Sequence, residues 1–445
     1  LTRMFGTDGV RGIANLELTP EFAFRLGRVG AYVLTRGVPG ARIVVGKDTR
    51  ISSDMLEASL VSGILSVGVD VLQLGVVSTP GVAFLTKHLH ANAGVMISAS
   101  HNPVEDNGIK FFGGDGFKLL DAVEDEIEAL MEQSEELPRP IGVDVGRLYQ
   151  EPALEVYRRF LIGTVQNRFD GLHVVLDCAN GASYHTAPEV FERLGAKVTA
   201  LFTQPDGTNI NVGCGSTHPH VVQRAVLEYE ADLGLAFDGD ADRVIAVDAS
   251  GQMVDGDYII AICAEALHAR GELKNNAVAA TVMSNLGFMK AMEERGIGVQ
   301  TTAVGDRYVM EAMREHSLVL GGEQSGHIIF LNHTTTGDGV LTALQLVNIM
   351  VAQKKSLTEL RRVMNRYPQI LENVRVNDKQ AWRQSARIQE ALEAGEAMLG
   401  GNGRLLVRES GTESLVRVMA EGPDEQVLQE CVHQIAVVIR EEIGA

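Results

Sequence analysis

Ala93-Gly94-Val95-Met96-Ile97-Ser98-Ala99-Ser100-His101-Asn102-Pro103 is the stretch on which the reading of this chain turns. Its first five residues are an unbroken apolar run and predict a buried strand. The chain then breaks into small and polar residues and stops at a proline. A serine at the end of a core strand, followed by His and Asn, is where a nucleophilic hydroxyl would be presented. The same residues are also ordinary turn formers, so the stretch does not decide its own role.

Outward from it, one outline recurs. Before it, residues 41–45 read as a strand, 53–67 as a helix, 69–74 as a strand and 81–88 as a helix. A second round has a strand at 173–176, the loop Asp177-Cys178-Ala179-Asn180-Gly181-Ala182, a helix, a strand at 197–202, and a strand at 232–237 ending in Asp238-Gly239-Asp240-Ala241-Asp242-Arg243. A third has strands at 277–282, 298–302 and 317–320 with helices between them, and ends in Gly321-Gly322-Glu323-Gln324-Ser325-Gly326-His327. This alternation predicts α/β layers. The rounds share almost no residues, so the repeat is one of architecture. In each, the third strand ends in the loop richest in reactive side chains, and open α/β sheets bind ligands beyond the carboxyl ends of their strands. Three similar α/β domains facing one central cleft are expected.

The boundaries follow from breaks in the pattern. Residues 135–146 are charged and hold Pro138 and Pro140, as a linker would. Residues 248–252 read as a hairpin turn, and Tyr367-Pro368 marks a third break. Beyond it, strands at 373–376, 404–408 and 415–421 with helices at 379–393 and 424–443 predict a small α+β domain, with Trp382 in its packing. The expected domains are 1–146, 147–250, 251–367 and 368–445, carrying the Ser100, Asp238, Glu323 and Arg408 loops respectively.

Composition narrows the function. The 445 residues are 45% hydrophobic and 22% charged, enough for several buried cores. A net charge of −19 disfavours nucleic acid and anionic membrane as partners. The four cysteines, Cys178, Cys214, Cys263 and Cys431, have no metal-site spacing and read as reduced cytoplasmic thiols. No apolar run approaches a membrane span, and the first residues lack a signal-peptide pattern.

Several clusters suggest chemistry. Asp238, Asp240 and Asp242 alternate, so their carboxylates can converge from one loop, which is either a solvated acidic turn or a site for a hard divalent ion, with Mg²⁺ the best fit. An EF-hand is excluded, because Arg243 stands where its glycine is needed and Ala249 where its glutamate is. The loop also resembles the nucleophile strand of haloacid-dehalogenase phosphatases, but Asp242 departs from that pattern. Glu323 and Ser325 suit paired sugar hydroxyls, and His327 is either a proton donor or acceptor or a satisfied loop histidine. Arg408, Ser410, Gly411 and Thr412 form an anion cradle of guanidinium, hydroxyls and free backbone. Lys110 is either a surface lysine or a proton shuttle returned to Ser100 by the chain. Residues 6–12 read as a glycine-rich loop with Arg11 at its tip. Gly46-Lys47-Asp48 is not a phosphate-binding P-loop, because the glycine spacing and Asp48 both break the motif. His218-Pro219-His220 lacks a third ligand and reads as a loop.

Taken together, Ser98-Ala-Ser-His-Asn-Pro, Asp238-Gly-Asp-Ala-Asp-Arg, Gly322-Glu-Gln-Ser-Gly-His and Arg408-Glu-Ser-Gly-Thr-Glu resemble, in this order, the motifs of the α-D-phosphohexomutases. Phe5-Gly-Thr-Asp-Gly-Val-Arg-Gly, Gly46-Lys-Asp-Thr-Arg-Ile-Ser and Thr334-Thr-Thr-Gly-Asp-Gly bring the chain closest to the amino-sugar branch of that family. The resemblance spans essentially the whole chain. It implies four domains around a cleft, Ser100 as a phosphoserine, and one Mg²⁺ held by Asp238, Asp240, Asp242 and the Ser100 phosphate. It implies Arg11 and Arg243 beside the moving phosphoryl group, Lys110 and His327 as acid/base candidates, Glu323 and Ser325 on the sugar, and Arg408, Ser410, Gly411 and Thr412 on the distal phosphate. The implied reaction converts glucosamine 6-phosphate to glucosamine 1-phosphate through a 1,6-bisphosphate, with glucose or glucosamine 1,6-bisphosphate as activator, and feeds UDP-N-acetylglucosamine and cell-wall precursor synthesis. A homodimer is compatible with it. A mutase for mannose or glucose phosphates is the alternative, and a phosphatase or a non-catalytic sugar-phosphate binder are the readings from other classes. Three positions depart from the pattern: Ser414 in place of proline, Glu409 in place of lysine, and Ala241 in place of glycine. Glu409 would weaken phosphate binding if it pointed inward.

Overall fold

The computed structural model describes residues 3–6, 8–410 and 414–445. The chain folds into two compact units, Leu1–Met283 with Gly296–Val363, and Ser284–Arg295 with Met364–Ala445.

The larger unit holds three sheets. The first comprises β1 (Val10–Ile13), β2 (Arg42–Lys47), β3 (Asp70–Val76), β4 (Ala93–Ile97), β5 (Asp106–Gly113) and β6 (Leu148–Gln150), in the order β1-β5-β4-β2-β3-β6. The second comprises β7 (His173–Asp177), β8 (Lys197–Leu201), β9 (Leu233–Phe237), β10 (Val244–Asp248) and β11 (Met253–Val254), in the order β11-β10-β9-β7-β8. The third comprises β12 (Ala277–Thr281), β13 (Gly298–Thr302), β14 (Leu320–Gly322) and β15 (Ile328–Phe330), in the order β13-β12-β14-β15.

The architectural repeat is therefore explicit. Each sheet shares a core of three parallel strands with the first in the middle and another strand returning antiparallel to the third, and in the first sheet β6 adds a further parallel strand beside β3. Every reactive loop lies between the third and fourth strands: 98–105 after β4, 238–243 after β9 and 323–327 after β14. The third strands β4 and β9 are buried along their whole length, as strands covered on both faces must be, which is why they read as continuous apolar runs.

Three features differ from the sequence reading. Residues 10–13, expected in a loop, form β1, because their backbone pairs antiparallel with β5, setting Arg11 opposite Gly108. Residues 106–113 form a strand that carries Lys110 back alongside β4, opposite Met96. Beyond the expected linker, Leu148–Gln150 pairs with β3 in the first sheet. The turn at 248–252 forms as expected, with Asp248 Oδ1 accepting the Ser250 and Gln252 N–H groups at 2.9 and 3.0 Å.

The smaller unit is α+β. Its antiparallel sheet comprises β16 (Gln369–Arg375), β17 (Arg404–Glu409) and β18 (Leu415–Glu421), with β18 central. The helices Ala386–Leu399 and Glu425–Ile443 pack on it, with buried Trp382 in the same core. The helix Leu286–Glu294 also belongs to this unit. Its start is anchored by buried Glu421, which accepts from Asn285 Nδ2 at 3.2 Å, Leu286 N at 3.1 Å and Arg404 at 2.6 Å. No helix among the described residues is long and apolar enough to cross a membrane.

Candidate active site

Ser100 is buried and held in left-handed backbone, φ 54°. A non-glycine residue in that region is strained, and such strain persists only where the surroundings enforce it. Here Arg50 does much of the enforcing. Its buried guanidinium donates to the carbonyls of Ser100 (2.9 Å), Asn102 (2.8 Å), Asp106 (3.1 Å) and Pro103. Asp48 orients Arg50 from 2.9 Å and accepts the Ser98 hydroxyl at 2.6 Å. Ser98 Oγ in turn accepts the Ser100 N–H at 2.9 Å. The Gly46–Arg50 segment is thus a brace for the serine loop. From the connection between β8 and β9, Asn211 Nδ2 donates to the Ser100 and Asn102 carbonyls at 2.9 and 3.1 Å.

The acidic loop 238–243 meets this serine directly. Ser100 Oγ lies 2.5 Å from Asp238 Oδ2. A Cβ on Gly239 would stand 2.4 Å from the Ser100 carbonyl, so only glycine permits this approach. One ligand oxygen from each of Asp238, Asp240 and Asp242 can be chosen so that all lie within 4.8 Å of one another. Burial and the two neighbouring carboxylates push Asp238 well above the usual carboxylate range. Asp240 Oδ1 and Asp242 Oδ1 are buried without a hydrogen-bond partner among the described residues. Crowded carboxylates with bare oxygens turned inward fit a hard divalent cation, whose charge relieves the repulsion. Two helix starts support the loop from below: Thr79 N–H donates to the Asp240 carbonyl at 3.0 Å and Gly339 N–H to the Ala241 carbonyl at 2.9 Å. Ala241, where the resemblance expects glycine, has φ 59°.

Around the triad runs a chain of alternating charge. Lys110 Nζ contacts Asp240 at 2.7 Å and Asp8 at 2.8 Å. Asp8 also pairs with Arg11 and with Lys118, which itself pairs with Asp306. His327 lies 3.6 Å from Asp306 and 3.4 Å from Asp242, which closes the circuit. Burial lowers Lys110, but Asp240 and Asp8 outweigh it and hold the amine firmly cationic. Burial raises Asp8, but Lys110, Lys118 and Arg11 hold it well below the usual range. Burial pulls His327 down, while Asp242, Asp306 and Glu323 push the imidazolium up to about 9. Against that, the Gly337 N–H points at His327 Nε2 from 3.1 Å, which favours a neutral ring with its proton on Nδ1 toward Asp242. A cation on Asp242 would weaken the upward pull and leave the neutral tautomer. The Thr334–Gly339 motif thus packs on His327: a Cβ at Gly337 would strike the imidazole at 2.5 Å. Its Asp338 caps the helix Gly339–Gln353 and accepts the Tyr157 hydroxyl at 2.6 Å. His101 lies 3.3 Å from both Ser100 Oγ and Arg243, and burial with Arg243 and Arg11 pushes it down to about 4, so its ring is neutral.

A cavity of about 450 Å³ opens beside this network. Its walls include Arg11, Arg243, Asp306, Glu323 and His327. Glu323 Oε1 accepts the Gly305 N–H at 3.2 Å. Ser325, expected on the sugar, is exposed and does not line this cavity, because the glycine-rich turn leaves it outside. In the smaller unit, Arg408 and Arg417 are cross-strand neighbours, Lys379 donates to the Ser410 carbonyl at 3.1 Å, and Arg417 contacts Ser410 Oγ at 3.4 Å. Gly411 and Thr412 lie outside the described residues. Glu409 faces the other way, to Trp382 Nε1 at 3.2 Å and Arg383 at 2.6 Å, since successive strand side chains alternate.

Four family models of the phosphoglucomutase/phosphomannomutase type match in order: α/β/α domain I over residues 2–138, domain II over 155–251, domain III over 255–367 and the C-terminal domain over 371–438. The chain belongs to the phosphoglucomutase/phosphomannomutase family. Among similar proteins, the phosphoglucosamine mutase of Shouchella clausii is 57% identical over 445 residues, covering 100% of both chains. That of Bacillus cytotoxicus is 56% identical over 446 residues, covering 100% of this chain and 99% of the relative. A family structure from Burkholderia thailandensis shares the fold at TM-score 0.84 and 23% identity, covering 100% of this chain and 99% of the other. Aspergillus fumigatus N-acetylphosphoglucosamine mutase, solved with GlcNAc-6P and magnesium, does so at TM-score 0.71 and 18% identity, covering 98% and 95%.

The structure brings Ser100, Lys110, Arg11, Asp238, Asp240, Asp242, Arg243, His327 and Glu323 into one region of the larger unit. Sequence reasoning missed Asp8, Arg50, Thr79, Lys118 and Asp306. Asp8 and Arg50 sat inside quoted motifs and were within reach. Thr79, Lys118 and Asp306 meet Asp240, Asp8 and Lys118 respectively, each more than 100 residues away, a separation that spacing rules do not see.

Proposed function

We propose that the chain is a phosphoglucosamine mutase, interconverting glucosamine 6-phosphate and glucosamine 1-phosphate with Ser100 as the phosphoryl carrier. The observation that carries this reading is the 2.5 Å approach of Ser100 Oγ to an aspartate triad with bare inward oxygens. The names of full-length relatives at 56–57% identity support the amino sugar over mannose or glucose. The four buried, free cysteines support a cytoplasmic setting.

Phosphoserine 100 gives its phosphoryl group to O1 of glucosamine 6-phosphate. The P–Oγ bond breaks as the P–O1 bond forms, the O1–H proton leaves to a base, and Oγ ends as a hydroxyl. The 1,6-bisphosphate then turns end for end. Ser100 Oγ attacks the 6-phosphate, the P–O6 bond breaks, O6 recovers a proton, and glucosamine 1-phosphate leaves with the phosphoserine restored. Each half moves one proton between sugar and serine, so the cycle balances without a net acid or base.

Such a transfer rests on in-line placement and neutralised oxygens. Mg²⁺ held by Asp238, Asp240, Asp242 and a serine-phosphate oxygen would supply that neutralisation. Arg11 and Arg243 anchor the moving phosphoryl group. Lys110, held cationic, suits proton donation, and His327 serves the sugar side. Glu323, on the cavity wall, takes sugar hydroxyls. Arg408, Ser410, Gly411 and Thr412 hold the phosphate that is not reacting. The domain division 1–146, 147–250, 251–367 and 368–445 assigns one such loop to each part.

The test is turnover of glucosamine 6-phosphate with Mg²⁺ and a catalytic amount of glucose 1,6-bisphosphate, run beside Ser100→Ala, with intact mass reporting serine phosphate. Isomerisation lost in Ser100→Ala is expected. Full activity in that variant overturns the carrier role, and steady release of inorganic phosphate identifies a phosphatase instead.

A further inference from the structure

We propose that Thr79 fixes which oxygen of Asp240 faces the divalent cation, and so sets the affinity of the site. The inference rests on the triad being the metal site of the proposed function, and goes beyond it by naming a positioning residue outside the triad.

Thr79 is fully buried at the first turn of the helix Thr79–His88. It grips Asp240 twice. Its N–H donates to the Asp240 carbonyl at 3.0 Å, and its Oγ1 donates to Asp240 Oδ2 at 2.6 Å. Lys110 Nζ reaches the same Oδ2 at 2.7 Å. Two donors on one oxygen leave the other, Oδ1, buried without a hydrogen-bond partner among the described residues. A carboxylate held this way cannot rotate to exchange its oxygens.

The two donors do not do the same work. Lys110 is a point charge on a flexible stem and is shared with Asp8 at 2.8 Å. It stabilises the carboxylate's charge without defining its plane. Thr79 is β-branched and stiff at χ1, and its backbone is fixed to the same aspartate. It therefore sets direction where Lys110 sets charge. The helix start also brings the positive end of a peptide dipole against the acidic loop. Outer partners of this kind orient metal ligands, and their loss costs about 10–100-fold in metal affinity.

The experiment uses the full chain with serine-phosphate occupancy matched by intact mass. Mg²⁺ alone is titrated by calorimetry, and the rise of the unfolding midpoint with Mg²⁺ is followed in parallel. Thr79→Val is expected to bind Mg²⁺ about 10–100-fold more weakly, with turnover recovering at raised Mg²⁺. Thr79→Ser, which keeps the hydroxyl, is expected to retain the wild-type affinity. Unchanged affinity in Thr79→Val, or an equal loss in Thr79→Ser, overturns the proposal. A wild-type chain with no saturable Mg²⁺ binding overturns the metal reading itself, whatever the variants do. Should Thr79→Val not fold, Thr79→Ala against Thr79→Ser carries the same comparison.

Discussion

Replacing Arg50 with methionine should separate the stability of the serine loop from its precision. The substitution leaves Asp48 as a buried carboxylate without its cation. Breaking such a pair costs about 3–5 kcal/mol. Of the four carbonyls that Arg50 serves, three keep another donor: Asn211 Nδ2 for Ser100 and Asn102, and Asp106 N–H for Pro103. Only the Asp106 carbonyl loses its main partner, which adds about 1–3 kcal/mol. The expected loss is therefore about 4 kcal/mol or more, read as a lower denaturant midpoint for the larger unit. It should depend on pH. Burial already raises Asp48, with Arg50 the largest opposing influence, so the variant raises it further. A carboxyl whose folded pKa exceeds its unfolded value loses stability as pH rises between the two, and the Arg50→Met deficit should be smaller at pH 5 than at pH 8. Arg50→Lys keeps the charge beside Asp48 but cannot reach several carbonyls at once. It should recover much of the stability while turnover stays about 100-fold down, the cost of an ångström's misplacement of a reacting group. Wild-type turnover in Arg50→Lys would refute the claim that this fan of hydrogen bonds places Ser100.

Two further outcomes follow from backbone and burial. Burial pushes Asp177 up to about 6, although the Gly215 and Ala179 N–H groups favour its charged form. Its share of stability is lost as pH climbs from about 4 to about 6, so Asp177→Asn should remove up to about 3 kcal/mol of that decline; an unchanged pH slope of the unfolding midpoint would refute this. Ala241→Gly should stabilise the larger unit by about 0.5–1 kcal/mol, because relief of left-handed strain exceeds glycine's entropic cost; a destabilised variant would show that the loop does not strain Ala241.

The strands β4 and β9 were legible because burial on both faces demands unbroken apolar text. The triad was legible because its three ligands sit in one turn. By contrast, β1 reads as glycine-rich loop until β5 pairs with it, and pairing between residues about a hundred positions apart leaves no local signature. Lys110 carried two open readings for the same reason: only the antiparallel return of β5 decides that its amine is buried. Glu409 shows the reverse case, where strand alternation alone, applied to β17, resolves the doubt over its direction.

The shared topology of the three sheets also bears on how the molecule is made. Ser100 takes its Asp238 partner from the loop after β9 of the second sheet, and that acidic loop is closed by Gly339, after the third. At about 5–20 residues per second, a ribosome needs roughly ten to fifty seconds to pass from the serine to that glycine. During that interval the serine stands on a finished strand with its eventual surroundings unmade. Once they arrive, it is 1% exposed. An enzyme that modifies extended chain therefore meets this serine exposed on the nascent polypeptide, before those surroundings form.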